Sequence, residues 1–198
     1  MDFHFVYCAM RNTAYFCGME VIETGINDLV VIRPKVFKDE RGYFFESFNQ
    51  KAFEAIGIKE QFTQDNQSLS SKGILRGLHF QTPPHAQGKL VRVIKGAVLD
   101  VAVDIRKHSP TYGQHYTVEL TEDNFLMMFI PAGFAHGFAT LADQTIFSYK
   151  CTDTYHPECE GGLMWNDPDL NIQWNIDQPI LSDKDKKNQA FAGFTSPF

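Results

Sequence analysis

The chain has 198 residues, of which 43% are hydrophobic, 14% aromatic and 21% charged. These proportions suit one globular domain and exclude disorder as the dominant state, because so many large apolar groups need burial. A net charge of −6 excludes nucleic-acid or anionic-membrane binding through overall charge, yet leaves room for a local basic patch that takes one small anion.

Residues 1–18 hold Phe3, Phe5, Val6, Tyr7 and Phe16, interrupted by Arg11, Asn12 and Thr13. They lack a basic start followed by a clean apolar stretch, so they do not read as a secretory signal. They read as a dispensable extension ahead of a single domain over 19–198. No apolar run approaches the ~18 residues that a membrane-spanning helix needs. The cysteines Cys8, Cys17, Cys151 and Cys159 form no CxxC pair and read as scattered reduced thiols of a cytoplasmic protein.

Met19 opens a regular run, and strands are expected over Leu29–Pro34, Gly42–Phe48, Gln61–Leu69, Ile74–Phe80, Lys89–Ile94, Val98–Ile105, His115–Leu120, Phe125–Ile130, Gly137–Leu141 and Thr145–Cys151. A short helix is expected over 51–57, stopped by Gly57. Turn signals such as SSKG, TPPHAQG, HSPTYG and TEDN separate the strands. Short strands recurring about every 8–12 residues predict an all-β sandwich or barrel. A helical period appears only in the polar segment Ser182–Gln189, so helices are small and peripheral. In Val98–Ile105 the period of two puts Asp100, Ala102 and Asp104 on one face and Leu99, Val101, Val103 and Ile105 on the other. The carboxylate face suits either solvent or a polar barrel lumen.

Two segments carry the chemistry. The first is Gly73–Gln81, GILRGLHFQ, followed by TPPHAQGKLVRVIKG; it crowds Arg76, His79, Lys89 and Arg92 together. On a flat strand Arg76 and His79 face opposite ways, so a bulge at Gly77 is needed to unite them. The second is Pro131–Phe138, PAGFAHGF, read as a turn that delivers His136 to the mouth of the next strand. Together they resemble the two halves of the cupin signature, as Gly73-x5-His79 and Pro131-x-Gly133-x2-His136. The metal-binding version has a second histidine where this chain has Gln81, and a glutamate where it has Pro83, Pro84, His85 and Ala86. A metal site needs three or four donors, and two signature ligands remain. A metal-free cupin double-stranded β-helix, a jelly roll, is therefore expected. His85 and His108 lie in turns and read as solvent-exposed.

Imidazole can take a proton near neutral pH, an ammonium can stabilise an oxyanion, and the phenol of Tyr149 can return a proton. Guanidinium groups suit a phosphate. This set fits proton transfer beside a carbonyl through an enolate, with no cofactor.

The motifs DERGYFFE (39–46), QDN (64–66), GILRGLHFQ (73–81), QGKLVR (87–92), PAGFAHGF (131–138), YKCTDTYHPECE (149–160), WNDP (165–168) and LSDKD (181–185) resemble those of the dTDP-4-dehydrorhamnose 3,5-epimerase family, metal-free cupins of dTDP-L-rhamnose synthesis. The resemblance runs from about Met19 to Gln189. It implies that His79 removes protons at C3 and C5 of a 4-keto sugar, with Asp185 bonded to His79 and raising its basicity. It makes Tyr149 the acid on the opposite face and gives Lys89 the enolate oxygen. Arg41 and Arg76 would bind diphosphate or nucleotide, with Gln64, Asp65 and Asn66 lining the same region. Glu46 would contact the thymine and Tyr155 stack on it, while His136, Glu160 and Lys184 complete the pocket. It also implies a homodimer in which residues of the N-terminal strands complete the partner's site.

On the residues alone, Asp185 in DKDKK reads as a solvated helix face, and Asp100 is the alternative partner of the catalytic histidine. The presence of both His79 and Tyr149 favours double inversion; a mono-epimerase, or an epimerase of another nucleotide 4-keto sugar, is the alternative. Arg41, Arg76, Lys89 and Lys184 are expected to face the diphosphate and the developing enolate together.

Overall fold

The alternation of β-branched or aromatic residues with polar ones does produce strands along most of the chain. The computed structural model describes residues 18–198 and, ahead of them, the backbone of residues 7–8 and 13–16; the reading of 1–18 as dispensable lies outside the described residues. In chain order the elements are β1 (Tyr7–Cys8), β2 (Thr13–Phe16), β3 (Met19–Glu23), β4 (Val30–Arg33), β5 (Phe37–Asp39), β6 (Gly42–Phe44), α1 (Gln50–Ala55), β7 (Gln64–Ser70), β8 (Leu75–Gln81), β9 (Lys89–Lys95), β10 (Ala97–Asp104), β11 (His115–Thr121), β12 (Met127–Ile130), β13 (Phe134–Thr140), β14 (Thr145–Cys151) and β15 (Glu160–Gly162). Single 3₁₀ turns occupy Pro157–Cys159 and Asp185–Lys187.

The larger sheet runs β1-β2-β3-β4-β12-β9-β14-β7 and the smaller β11-β10-β13-β8-β15. From β7 onward most successive strands alternate between the two sheets, which is the double-stranded β-helix of a cupin. The sheets close on a shared interior. Val91, Val93, Met128 and Phe147 from the larger sheet meet Val98, Ala102, Leu120, Phe134 and Phe138 from the smaller. Helix α1, capped by the Asn49 side chain on the Ala52 N–H, seats Phe53 against Ile32, Leu90 and Met127 on the outer side of the larger sheet.

The β10 alternation has neither face in solvent. Leu99, Val101, Val103 and Ile105 pack under Leu163, Leu170, Ile172 and Trp174 of the C-terminal segment. Asp100 and Asp104 are also fully buried, so the carboxylate face looks into the barrel. Three local expectations are corrected. The run Gly42–Phe48 is a strand only to Phe44, because it turns back on β5 as a hairpin. The polar segment Ser182–Gln189 holds one 3₁₀ turn rather than a helix. His136 lies inside β13 rather than in the turn before it.

Asp104 shows what a buried carboxylate requires. It accepts from Arg106 Nε at 2.9 Å and Nη2 at 2.8 Å, Ser109 Oγ at 2.6 Å and Thr111 Oγ1 at 2.7 Å. Burial pushes its carboxyl up, but these bonds win and hold it at about 2, against an ordinary 3.8. A depressed carboxyl stabilises the fold fully above its unfolded value, and that contribution is lost as pH falls from about 4 to about 2. The shift corresponds to ~2 kcal/mol. Acid unfolding followed by circular dichroism should therefore show a steep loss across that window, and Asp104→Asn should be less stable at pH 7 with a shallower acid slope.

Candidate active site

β8 places the key groups by breaking its own period. Its register against β13 pairs His79 with His136 but Arg76 with Phe138, so β8 carries one extra residue. That residue is accommodated at Gly77, whose φ is +130°. A Cβ there would sit 2.4 Å from the Gly137 Cα and 2.9 Å from the His136 carbonyl oxygen. The bulge turns Leu75 and Leu78 both to the outer core and brings Arg76 and His79 both into one cleft, as the spacing demanded. Gly77→Ala should cost several kcal/mol, on the order of 3, and displace both side chains. A lowered Tm with loss of activity is the expected readout.

His79 Nε2 lies 2.5 Å from Asp185 Oδ1. Asp185 is buried, and its other oxygen accepts from Ser182 Oγ at 2.8 Å, while its own N–H donates back to Ser182 at 3.1 Å. Burial pushes the Asp185 carboxyl up, but the bonds from His79 and Ser182 and the nearby Lys184 charge hold it below the ordinary range. It is therefore an anion wherever His79 needs one. Asp100 takes the other histidine: both its oxygens lie 3.0 Å from His136 Nε2. Burial lowers the His136 imidazole, and Asp100 opposes that shift.

Lys89 and Tyr149 come from the larger sheet. They extend the inward stripes that hold Val91 and Val93 on β9 and Phe147 on β14. Burial lowers the Lys89 ammonium, against the pull of Cys151, Asp100 and Glu160. Burial likewise raises the Tyr149 phenol, helped by Cys151 and opposed by Arg76 and Asn66. Two adjoining chambers of about 400 and 450 Å³ share Arg76, His79, Lys89 and Tyr149. The imidazole and the phenol thus stand on opposite sheets across one cleft.

The family model described as dTDP-4-dehydrorhamnose 3,5-epimerase matches residues 23–193. The chain belongs to that family. A relative of that name from Shigella flexneri is 54% identical over 174 residues, covering 87% of this chain and 96% of the relative. The crystal structure of the epimerase from Legionella pneumophila, in complex with dTDP-4-keto-L-rhamnose, is 49% identical and superposes with a TM-score of 0.86 over 89% of this chain and 95% of that one. A 3'-monoepimerase from Streptomyces bikiniensis, in complex with dTDP-quinovose, is 34% identical, with a TM-score of 0.79 over 84% of this chain and 85% of that one.

The remaining residues singled out for the epimerase site divide into two groups. Gln64, Asn66, Tyr155 and Glu160 line the second chamber and Lys184 the first. Tyr155 donates its hydroxyl to Glu160 Oε2 at 2.8 Å, and its N–H donates to Gln64 Oε1 at 2.9 Å; Lys184 pairs with the other oxygen of Glu160. Three do not join them within one chain. Asp65 points to the outer face of β7 and pairs with Lys150 at 2.9 Å. Arg41 sits on the β5–β6 hairpin and pairs with Asp39. Glu46 accepts from Asn49 and lines a separate cavity of about 350 Å³ with Lys35, Phe37 and Phe53. Within one chain the cleft brings together three of the four expected cations, Arg76, Lys89 and Lys184.

Two supporting roles went unread in the sequence. Ser182 holds Asp185, and its signal was the SxxD spacing of a short turn. Gln81, where metal-binding cupins have histidine, is buried and donates to the carbonyls of His85 at 2.7 Å and Thr154 at 3.2 Å.

Proposed function

We propose that this protein converts dTDP-4-dehydro-6-deoxy-D-glucose to dTDP-4-dehydro-L-rhamnose by inverting C3 and C5, in the cytoplasm and without a resident cofactor. The observation that carries this reading is the His79–Asp185 pair facing Tyr149 from the opposite sheet. Neutral His79 takes the proton from the carbon beside the C4 carbonyl. The electron pair moves onto the carbonyl oxygen, where the Lys89 ammonium stabilises the enolate. Tyr149 then delivers its proton to the other face of that carbon, and solvent restores both groups. The same cycle at the second carbon completes the reaction. Asp185 orients His79 and stabilises its charged form. His136 is held beside His79 by Asp100, and Arg76 and Lys184 take the diphosphate. Tyr155 stacks on the thymine, and Gln64, Asn66 and Glu160 line its approach.

Incubation of the dTDP 4-keto sugar in D2O tests the reading: solvent label should enter at both C3 and C5. Label at one carbon alone would assign the chain to the single-inversion chemistry named for its Streptomyces bikiniensis neighbour.

Arg41, Glu46 and Asp65 fit a homodimer in which the N-terminal strands complete the partner's site. The β5–β6 hairpin supports this, since it exposes Phe37, Tyr43 and Phe44 by 53%, 58% and 67%, an unusual display for a monomer. Residues 1–18 lie outside the catalytic unit in this reading. Light scattering should give twice the chain mass, and a chain starting at Met19 should keep its exchange rate.

A further inference from the structure

A second cluster of ionisable groups stands on the loops above the cleft and takes no part in the proton transfers. The rings of His85, after β8, and His156, after β14, stack with centroids 3.4 Å apart and planes 7° from parallel. His85 Nδ1 lies 3.0 Å from Asp153 Oδ2, and His156 Nδ1 lies 2.9 Å from Glu158 Oε1. One donor atom from each of His85, Asp153 and His156 falls within 4.8 Å of the others. All three are half-buried rather than exposed, which corrects the reading of His85 as a solvated turn residue.

The backbone beneath them is fixed without any ion. The Gln81 amide donates to the His85 and Thr154 carbonyls and accepts from the His156 N–H at 2.8 Å. Gln87 donates to the Asp153 carbonyl at 2.7 Å, and the Thr82 N–H to the Cys159 carbonyl at 2.8 Å. Both loops are thus stapled to one another from below, and only side chains need to adjust above.

Stacked imidazoles repel when both are charged, but as neutral rings they offer two nitrogen donors beside a carboxylate. Borderline divalent ions take that set. A tetrahedral ion with bonds of ~2.0–2.1 Å holds its ligand atoms about 3.4 Å apart, so the donor atoms, within 4.8 Å of one another here, have to draw together by side-chain rotation. Glu158 on His156 Nδ1 fixes the tautomer that leaves Nε2 with its lone pair, which the Thr154 hydroxyl, 3.3 Å away, gives up to the ion.

We propose that His85, Asp153 and His156 bind a zinc-class divalent cation, with water as the fourth ligand. The ion replaces the proton shared by His85 and Asp153, and the rings splay from parallel to aim their lone pairs at it. It ties the loop that leads into Lys89 to the loop that carries Tyr155. Neither His79 nor His136 is involved, so the site is separate from the two signature histidines.

Titration of the chelator-stripped full chain with zinc, against a chromophoric chelator, tests this. One equivalent per chain should bind, cobalt should give visible absorption bands of a nitrogen- and oxygen-ligated tetrahedral site, and zinc should raise Tm. His85→Ala and His156→Ala should each weaken binding by 10-fold or more, and Glu158→Gln by ~10-fold. His108→Ala, at an exposed turn elsewhere, should bind like the parent. Circular dichroism of the zinc-free variants checks that they fold. Parent-like affinity in both histidine variants, or no binding up to about 1 mM zinc, overturns the proposal.

Discussion

His79→Ala should lower deuterium exchange at both C3 and C5 by ~10² or more, because each carbon loses the same general base. Among the described residues the cleft is lined by one other imidazole, that of His136. The neighbouring histidine, His136, already has Nε2 committed to both oxygens of Asp100, and burial lowers its basicity. Asp185→Asn should cost less and in a different way. The amide keeps a partner for the imidazole but removes the negative charge that stabilises its protonated form, so Asp185 acts as a positioning residue. The rate should fall while nucleotide affinity, measured by calorimetry with dTDP, stays unchanged. If His79→Ala retained exchange at either carbon, the shared-base mechanism would fail for that carbon.

The fold was legible because its periods are clean. Nine of the expected strands recur with ends moved by a few residues, since β-branched runs between Gly, Pro and Asn turns leave few alternatives. The β8 bulge could be anticipated too: two functional groups three residues apart, with a glycine between, need one. What could not be read was anything set by distant chain. Asp185 sits in a run of charge that by itself reads as solvent-facing. It is buried because the C-terminal segment folds back over the smaller sheet and brings it to His79, 106 positions away in sequence. The burial of the outer face of β10 has the same cause. Arg41 lies on the β5–β6 hairpin and Glu46 in the segment between β6 and α1, and within one chain neither lines the cleft. Gln81 shows how the loss of a metal ligand is put to use, as its amide joins two loops that a signature histidine could not bridge in the same way.

Tyr149→Phe should separate exchange from inversion. Without the phenol, His79 can still remove a proton and return a solvent deuteron to the same face. Substrate should therefore gain label while the epimerised product falls by ~10² or more. Equal loss of both would mean that the phenol is not the opposite-face acid. The pH profile sharpens the assignment. Burial raises the Tyr149 phenol above its ordinary 10, so the acid holds its proton more firmly than a free phenol. Burial lowers Lys89 below its ordinary 10.5, so its charge is the one that burial makes easier to lose as pH rises. The alkaline fall in kcat/KM is therefore expected from Lys89. It should persist in the residual exchange of Tyr149→Phe and move to higher pH in Lys89→Arg, whose guanidinium keeps its charge. A fall that vanished in Tyr149→Phe and stayed in place in Lys89→Arg would reverse the two roles.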